Sequence, residues 1–131
     1  MIFVDSNIPM YLVGTPHPNK DIARMWFARL AAAGEPLVTD AEVLQEILHR
    51  YVSTERAHLV DAAFEAILDQ VADVLPMERE DADLAAQIAR TANLSARDAI
   101  HVAVMRRRAI TRILSFDRGF DVVEGIERIP R

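Results

Sequence analysis

Four acids in this chain draw notice because of what surrounds them. Asp98 lies in LSARDAIHVAV, residues 94–104, at the mouth of an otherwise apolar stretch. Ser95, three residues ahead of it, fits a capping box, which predicts a helix over residues 95–108 with Ala99, Ile100, Ala103 and Val104 turned inward. An acid in a first helical turn also complements the helix dipole, so this stretch alone is equally a plain cap. Asp5 closes the apolar run Ile2, Phe3, Val4, and Asp117 closes a second run, Ile110 to Phe116. Glu46 sits on the flank of the apolar stripe Val43, Leu44, Ile47, Leu48, Tyr51, Val52, where a pair with Arg50 is its simpler explanation. Carboxylates gathered in one place repel, so they must be protonated or share a cation. With no cysteine in the chain, the ion suited to an all-oxygen site is hard, magnesium or manganese. Such an ion acidifies a water and neutralises charge on a phosphodiester, so the acids taken as a set point to phosphate chemistry.

The elements that would bring them together follow from the apolar pattern. Short strands are predicted at Ile2–Val4, Leu37–Val38, within Val71–Met77, within Ile110–Phe116 and, at an edge, within Ile126–Ile129. Helices are predicted from about Ile8, over Lys20–Ala33, after Asp40, over residues 56–71, over 78–92 and over 95–108. GTPHPN at residues 14–19 reads as a loop. Thr39 with Glu42 suggests a capping box for the third helix, and Leu84, Ala85, Ile88 and Ala89 are predicted to face the core. Strands alternating with amphipathic helices call for an α/β fold with a mostly parallel sheet covered on both faces. Ligands in such sheets lie beyond the carboxyl ends of the strands, near the point where the strand order reverses. Asp5 and Asp117 occupy strand ends, and Asp98 and Glu46 lie near helix starts, so one crevice can hold all four.

Composition bounds the alternatives. A chain of 131 residues, 51% hydrophobic, suits one domain spanning residues 1–131. The absence of cysteine is compatible with a reducing cytoplasm. Nowhere do about 18 apolar residues follow one another, and no basic region precedes a hydrophobic leader, so no membrane partner is expected. A formal charge of −5 argues at first sight against a nucleic-acid partner, since phosphate binding favours basic surfaces. Yet Lys20 is the only lysine among fifteen basic residues, and Arg106, Arg107, Arg108 and Arg112 cluster. Arginine suits phosphate, although its excess equally reflects coding-DNA composition.

Taken in order, FVDSN at residues 3–7, VLQEI at 43–47, SARDAIHVAV at 95–104 and ILSFDRGFD at 113–121 resemble the PIN-domain ribonucleases, in particular the VapC-type toxins of bacterial toxin-antitoxin pairs. The resemblance implies a three-layer α/β/α sandwich and an acidic quartet of Asp5, Glu46, Asp98 and Asp117. Within it, Asp5 and Asp98 would ligate Mg2+ or Mn2+ directly, with Glu46 and Asp117 acting through waters. Asn7 and Ser115 match small polar positions that support such a site. The implied activity is endonucleolytic hydrolysis of single-stranded or structured RNA, leaving a 5′-phosphate and a 3′-hydroxyl. The implied partners are a cognate antitoxin, which masks the site with a basic segment, and a second copy of the chain.

Other assignments stay open at this level. Asp40 or Glu42 can compete with Glu46, and Asp121 can join Asp117, although Glu42 is better explained as the cap partner of Thr39. His101, one turn after Asp98, fits a hydrogen-bonded core histidine better than a general base. Arg97 and Arg118 are placed to meet a phosphate or to pair with the acids. A haloacid-dehalogenase-type phosphatase would need an aspartate where Asn7 stands, and a receiver domain would need a lysine near the last strands. The rival of a different class is a non-catalytic domain whose acidic cluster docks a basic peptide.

Overall fold

The short apolar runs are the strands of a computed structural model that describes residues 1–131. They are β1 (Ile2–Val4), β2 (Leu37–Asp40), β3 (Asp73–Leu75), β4 (Arg112–Leu114) and β5 (Glu127–Ile129). All four strand pairings are parallel, in the order β3-β2-β1-β4-β5. Phe3 on the central strand is in register with Val38 on one side and Ile113 on the other. The chain thus winds outward from β1 in both directions, and the order reverses between β1 and β4.

Six helices flank the sheet: α1 (Asn7–Val13), α2 (Pro18–Ala32), α3 (Ala41–Ser53), α4 (Val60–Leu68), α5 (Arg79–Thr91) and α6 (Ala96–Arg107). A 3-10 turn, Ala57–Leu59, leads into α4, so the helix expected over residues 56–71 is shorter than its apolar pattern. Helix α1 packs on α2 and α4, α5 packs on α6, and α3 touches both α4 and α6. The buried apolar residues form one continuous cluster. Every side chain of α6 from His101 to Met105 is buried, as expected for a helix apolar on most of its circumference. Burying a side chain such as Phe3 or Ile113 stabilises the fold by about 1.5–3 kcal/mol.

Three sequence expectations are corrected here. Helix α3 buries Val43, Ile47 and Tyr51, a narrow i, i+4, i+8 stripe, whereas Leu48 and Val52 remain 47% and 55% exposed. Its apolar face is wider than the core it meets. Helix α5 faces inward through Asp81, Ala85 and Ile88, leaving Ala89 exposed. Thr39 does not cap α3; its hydroxyl donates to the carbonyl of Val4 at 2.8 Å, tying β2 to β1. The cap is Asp40, whose Oδ1 accepts from the Val43 amide at 2.8 Å.

The arginine cluster after α6 is largely consumed inside the fold. Buried Asp81 accepts from Arg107 at 2.7 Å and Arg108 at 3.3 Å, while its other oxygen accepts the Glu78 amide at 2.8 Å. Burial raises the Asp81 pKa, but these donors outweigh it and hold the carboxyl below its ordinary value. Arg106 donates to the Glu124 carbonyl. These side chains therefore fasten α5 to α6 and steady the last connection, leaving little of the cluster for an external phosphate.

Candidate active site

A cleft of about 500 Å³ opens above the carboxyl ends of β1 and β4, where the strand order reverses, and Asp5, Glu46, Asp98 and Asp117 all line it. Each arrives on a different element. Asp5 follows β1 directly, and its amide bonds the Leu114 carbonyl at 3.1 Å, continuing the β1–β4 ladder. Asp117 stands before the 3-10 turn Arg118–Val122, its Oδ1 accepting the Gly119 amide at 2.8 Å. Asp98 is in the first turn of α6, where Ser95 caps its amide at 3.1 Å. Glu46 is half-buried on α3 and accepts the Ser6 hydroxyl.

Asp5 is the most closely held of the four. Its Oδ2 accepts the Ser115 hydroxyl at 2.6 Å and the Asn7 amide group at 3.2 Å, and its Oδ1 accepts the Ser6 backbone amide at 2.8 Å. Asn7 also donates to Ser115 at 3.1 Å and accepts from the Phe116 amide at 3.2 Å, while Ser115 accepts from the Asp117 amide at 3.0 Å. Asn7 and Ser115, expected as supporting residues, thus bind Asp5 to the loop that carries Asp117. A carboxylate so fixed presents its remaining lone pairs without reorganisation.

Behind this face lies a buried charged pair. His101 on α6 is fully buried, with its Nδ1 2.8 Å from Oδ2 of equally buried Asp40. Its other nitrogen, Nε2, points toward Asp5 Oδ1 at 3.9 Å and has no hydrogen-bond partner. Burial lowers the imidazole pKa, but Asp40, Asp5 and Glu46 raise it to about 9, so His101 is a cation at neutral pH. It is a core histidine, as expected, and its charge opposes the crowding of the acids. Asp40 caps α3 with one oxygen and binds α6 with the other. The sequence did not reveal this link because its partners stand 61 positions apart; the only hint was that Asp40, like Asp5 and Asp117, closes a strand.

The acids shift one another. Burial raises the pKa of Asp98 to about 6, with the negative charges of Asp5 and Asp117 adding to the rise. Burial likewise raises Asp5, opposed by His101 and the Ser115 bond and reinforced by Glu46. A cleft that makes its carboxylates costly to ionise favours a cation. The donors facing it are carboxylate and hydroxyl oxygens, which suit a hard divalent ion. No three acid or imidazole groups already converge into a ligating cluster, so the fit is to an ion that keeps several waters and takes few protein ligands, as magnesium does.

The remaining sequence candidates fall elsewhere. Glu42 lies 3.6 Å from Arg97 Nε and does not line the cleft. Asp121 pairs with Arg128 at 2.7 and 3.0 Å, away from the acids. Asp40 faces His101 inside the core. Arg97 lines the cleft and stands 3.9 Å from Glu46, whereas Arg118 lines a separate groove beside Phe116 and Trp26. The Glu46–Arg50 pair, the alternative to a site role for Glu46, does not form: Glu46 is engaged by Ser6 and Arg97, and Arg50 stands unpaired on the cleft wall.

The PIN-domain family model matches residues 2–126. The chain is 55% identical over 130 residues to Ribonuclease VapC13 of Mycobacterium tuberculosis, covering 98% of this chain and 99% of that protein. Among solved structures, it superposes on M. tuberculosis VapC20, described as a sarcin-ricin loop cleaving toxin, with a TM-score of 0.74 at 24% identity, covering 92% of this chain and 93% of that one. It also superposes on VapBC2 from Rickettsia felis, solved bound to a promoter DNA fragment, with a TM-score of 0.75 at 10% identity, covering 98% and 97%. At those identities the two structures speak for the fold, which is the expected α/β sandwich with its sheet wholly parallel.

Proposed function

The chain belongs to the PIN-domain family, and from that premise we propose that it is a VapC-type endoribonuclease, the toxin of a toxin-antitoxin pair, which hydrolyses phosphodiester bonds of RNA with the help of Mg2+ or Mn2+. The observation that carries this is the convergence of Asp5, Glu46, Asp98 and Asp117 on one cleft at the sheet's reversal point, in a chain 55% identical to a ribonuclease. Asp5 and Asp98 would hold the ion directly, and Glu46 and Asp117 would act through its waters. When bound, the ion would acidify a water for attack at phosphorus and offset the charge that develops on the phosphodiester.

The chain's own residues supply the rest. Ser115, Asn7 and the Ser6 amide hold Asp5 in one orientation. His101 and Asp40 support it from inside, and the Ser95 cap fixes the first turn of α6, which carries Asp98 to the cleft wall. Arg97 on the cleft wall stands beside the place a phosphate would take. The partners in this reading are a cognate antitoxin and a second copy of the chain, and the place of action is the cytoplasm. No helix is long and apolar enough to cross a membrane.

The experiment compares cleavage of total cellular RNA by the wild type and by Asp98→Asn, each purified free of partner, with manganese or magnesium and with chelator. The expected result is metal-dependent cutting that Asp98→Asn loses while remaining folded. Equal activity in both proteins would expose a contaminant. No activity in either, with no stabilisation by metal, would return the acids to the role of a docking surface for a basic peptide.

A further inference from the structure

A second groove, of about 580 Å³, adjoins the acidic cleft and shares Asn7, Met10 and Arg50 with it. Its far wall carries Tyr11, His17 and Arg56. We infer that this groove is a subsite for the RNA nucleotide next to the scissile phosphate, with Arg50 on its backbone and the Tyr11–His17 pair against its base. The inference rests on the ribonuclease function proposed above.

Charge is the first support. Arg50 is exposed in the last turn of α3 and forms no ion pair within the chain, although Glu46 stands one turn before it. Arg56 also meets no acid; it lies over the Tyr51 ring at 5.3 Å and donates to the Thr54 hydroxyl. Six of the fourteen arginines form ion pairs within the chain; Arg50 and Arg56 are among the eight that do not, and together they line the groove that continues the acidic cleft, where their guanidinium groups offer a seat for an anion. The second support is aromatic. The Tyr11 and His17 rings are 4.9 Å apart at 37°, and Tyr11 is fixed edge-on to Phe116 at 5.3 Å. His17 remains exposed, so its face is open to a base. Continuity selects the occupant. A strand whose phosphate lies over Asp5 and Asp98 and which continues into the second groove passes beside Arg50, which walls both spaces. A peptide with acidic side chains would satisfy the arginines but would leave that continuity without use.

Two variants separate the two contacts. Arg50→Ala removes one cation from an exposed position. His17→Asn keeps a side-chain acceptor for the Asn19 amide that His17 now caps at 3.0 Å, and removes only the ring. Arg90→Ala, on α5 outside the groove, controls for loss of positive charge. Binding of a fluorescein-labelled mixed-sequence single-stranded RNA of about 12 nucleotides is followed by anisotropy across a salt series, each substitution being placed in Asp98→Asn protein so that the RNA stays intact. Cleavage kinetics are measured in otherwise wild-type protein. Arg50→Ala is expected to weaken binding about tenfold and to reduce the slope of log K against log salt by about 0.7, raising KM with kcat nearly unchanged. His17→Asn is expected to weaken binding about fivefold with the slope unaltered. Arg90→Ala is expected to match its parent.

Unchanged affinity and KM in both groove variants, while the wild type still cleaves RNA, would overturn the subsite without touching the ribonuclease function and would leave the groove to a peptide. A fall in kcat with KM unchanged would also overturn it, placing Arg50 at the reacting phosphate instead. Failure of the wild type to cleave any RNA would be the failure of the proposed function itself.

Discussion

Removing the charge of Asp98 should make the metal-free protein more stable, and only at a pH where that charge exists. The Asp98 carboxyl titrates near 6 in the fold against an ordinary 3.8. Between those values the native state binds a proton more readily than the unfolded chain, so its contribution to stability falls as pH rises from about 4 through about 6 and stays low above that. A gap of roughly 2 pH units, at about 1.4 kcal/mol per unit, is on the order of 3 kcal/mol. Asp98 is half-buried and water screens part of the repulsion, which leaves about 1–2 kcal/mol for Asp98→Asn to recover. For a domain of this size that is a rise in Tm of about 4–8 °C. The assay is thermal or urea unfolding of wild type and variant in chelator, at about pH 7.5 and about pH 4, with the gain expected at the higher pH and absent at the lower. Addition of manganese should then reverse the order, because binding to the native state at about 100-fold over Kd stabilises the wild type by about 2.7 kcal/mol. A variant no more stable than wild type at the higher pH, or equally stabilised at both, would refute the account of Asp98 as a carboxylate made costly to ionise by burial and by the charges of Asp5 and Asp117.

Further expectations concern the groups behind the acids. His101→Leu should cost about 3–5 kcal/mol in urea unfolding, since it strands buried Asp40. Adding Asp40→Leu should then cost less than the sum of the single changes, as a double-mutant cycle would register. Ser115→Ala should destabilise by about 1–3 kcal/mol through the unmet needs of Asp5 and the Asp117 amide, and RNA cleavage should fall further than the folded fraction does. Asp81→Asn should lower stability at neutral pH and make progressively less difference as pH falls below the ordinary carboxylate range, because a carboxylate with a lowered pKa contributes stability that is lost as pH falls through the folded value. Urea titrations across pH would check it.

The parts of the fold that depend on local pattern were legible in the sequence. Apolar runs ending in Asp5, Asp40 and Asp117 are strands, and the Ser95 cap starts α6 where its spacing predicts. The positions of the four acids on one edge followed from strand-loop-helix geometry, without any need of side-chain detail. What stayed hidden depends on partners far apart in the chain. Thr39 and Asp40 are both plausible caps by type, and only the sheet decides between them, by turning the Thr39 hydroxyl onto β1. Leu48 and Val52 share the periodicity of Ile47 and Tyr51 but fall beyond the edge of the core, a limit set by where α4 and α6 pack. The fate of Arg50 was missed because its helical neighbour Glu46 is claimed by Ser6, forty positions earlier in the chain.

The bond from Ser115 to Asp5 spans 110 positions, and it bears on when in its own synthesis the chain can complete its acidic site. At about 5–20 residues per second, roughly 6–22 seconds separate the appearance of Asp5 from that of β4 and Asp117. During that interval Asp5 lacks the hydroxyl that orients it and the strand beside which it must lie, so a ribosome-bound fragment carries the first acid without its supports. A site built on β1 and β4, neighbours in the sheet but made at opposite ends of the chain, is thereby completed only when synthesis is nearly over, and translation stalled before β4 leaves Asp5 without the partners that orient it.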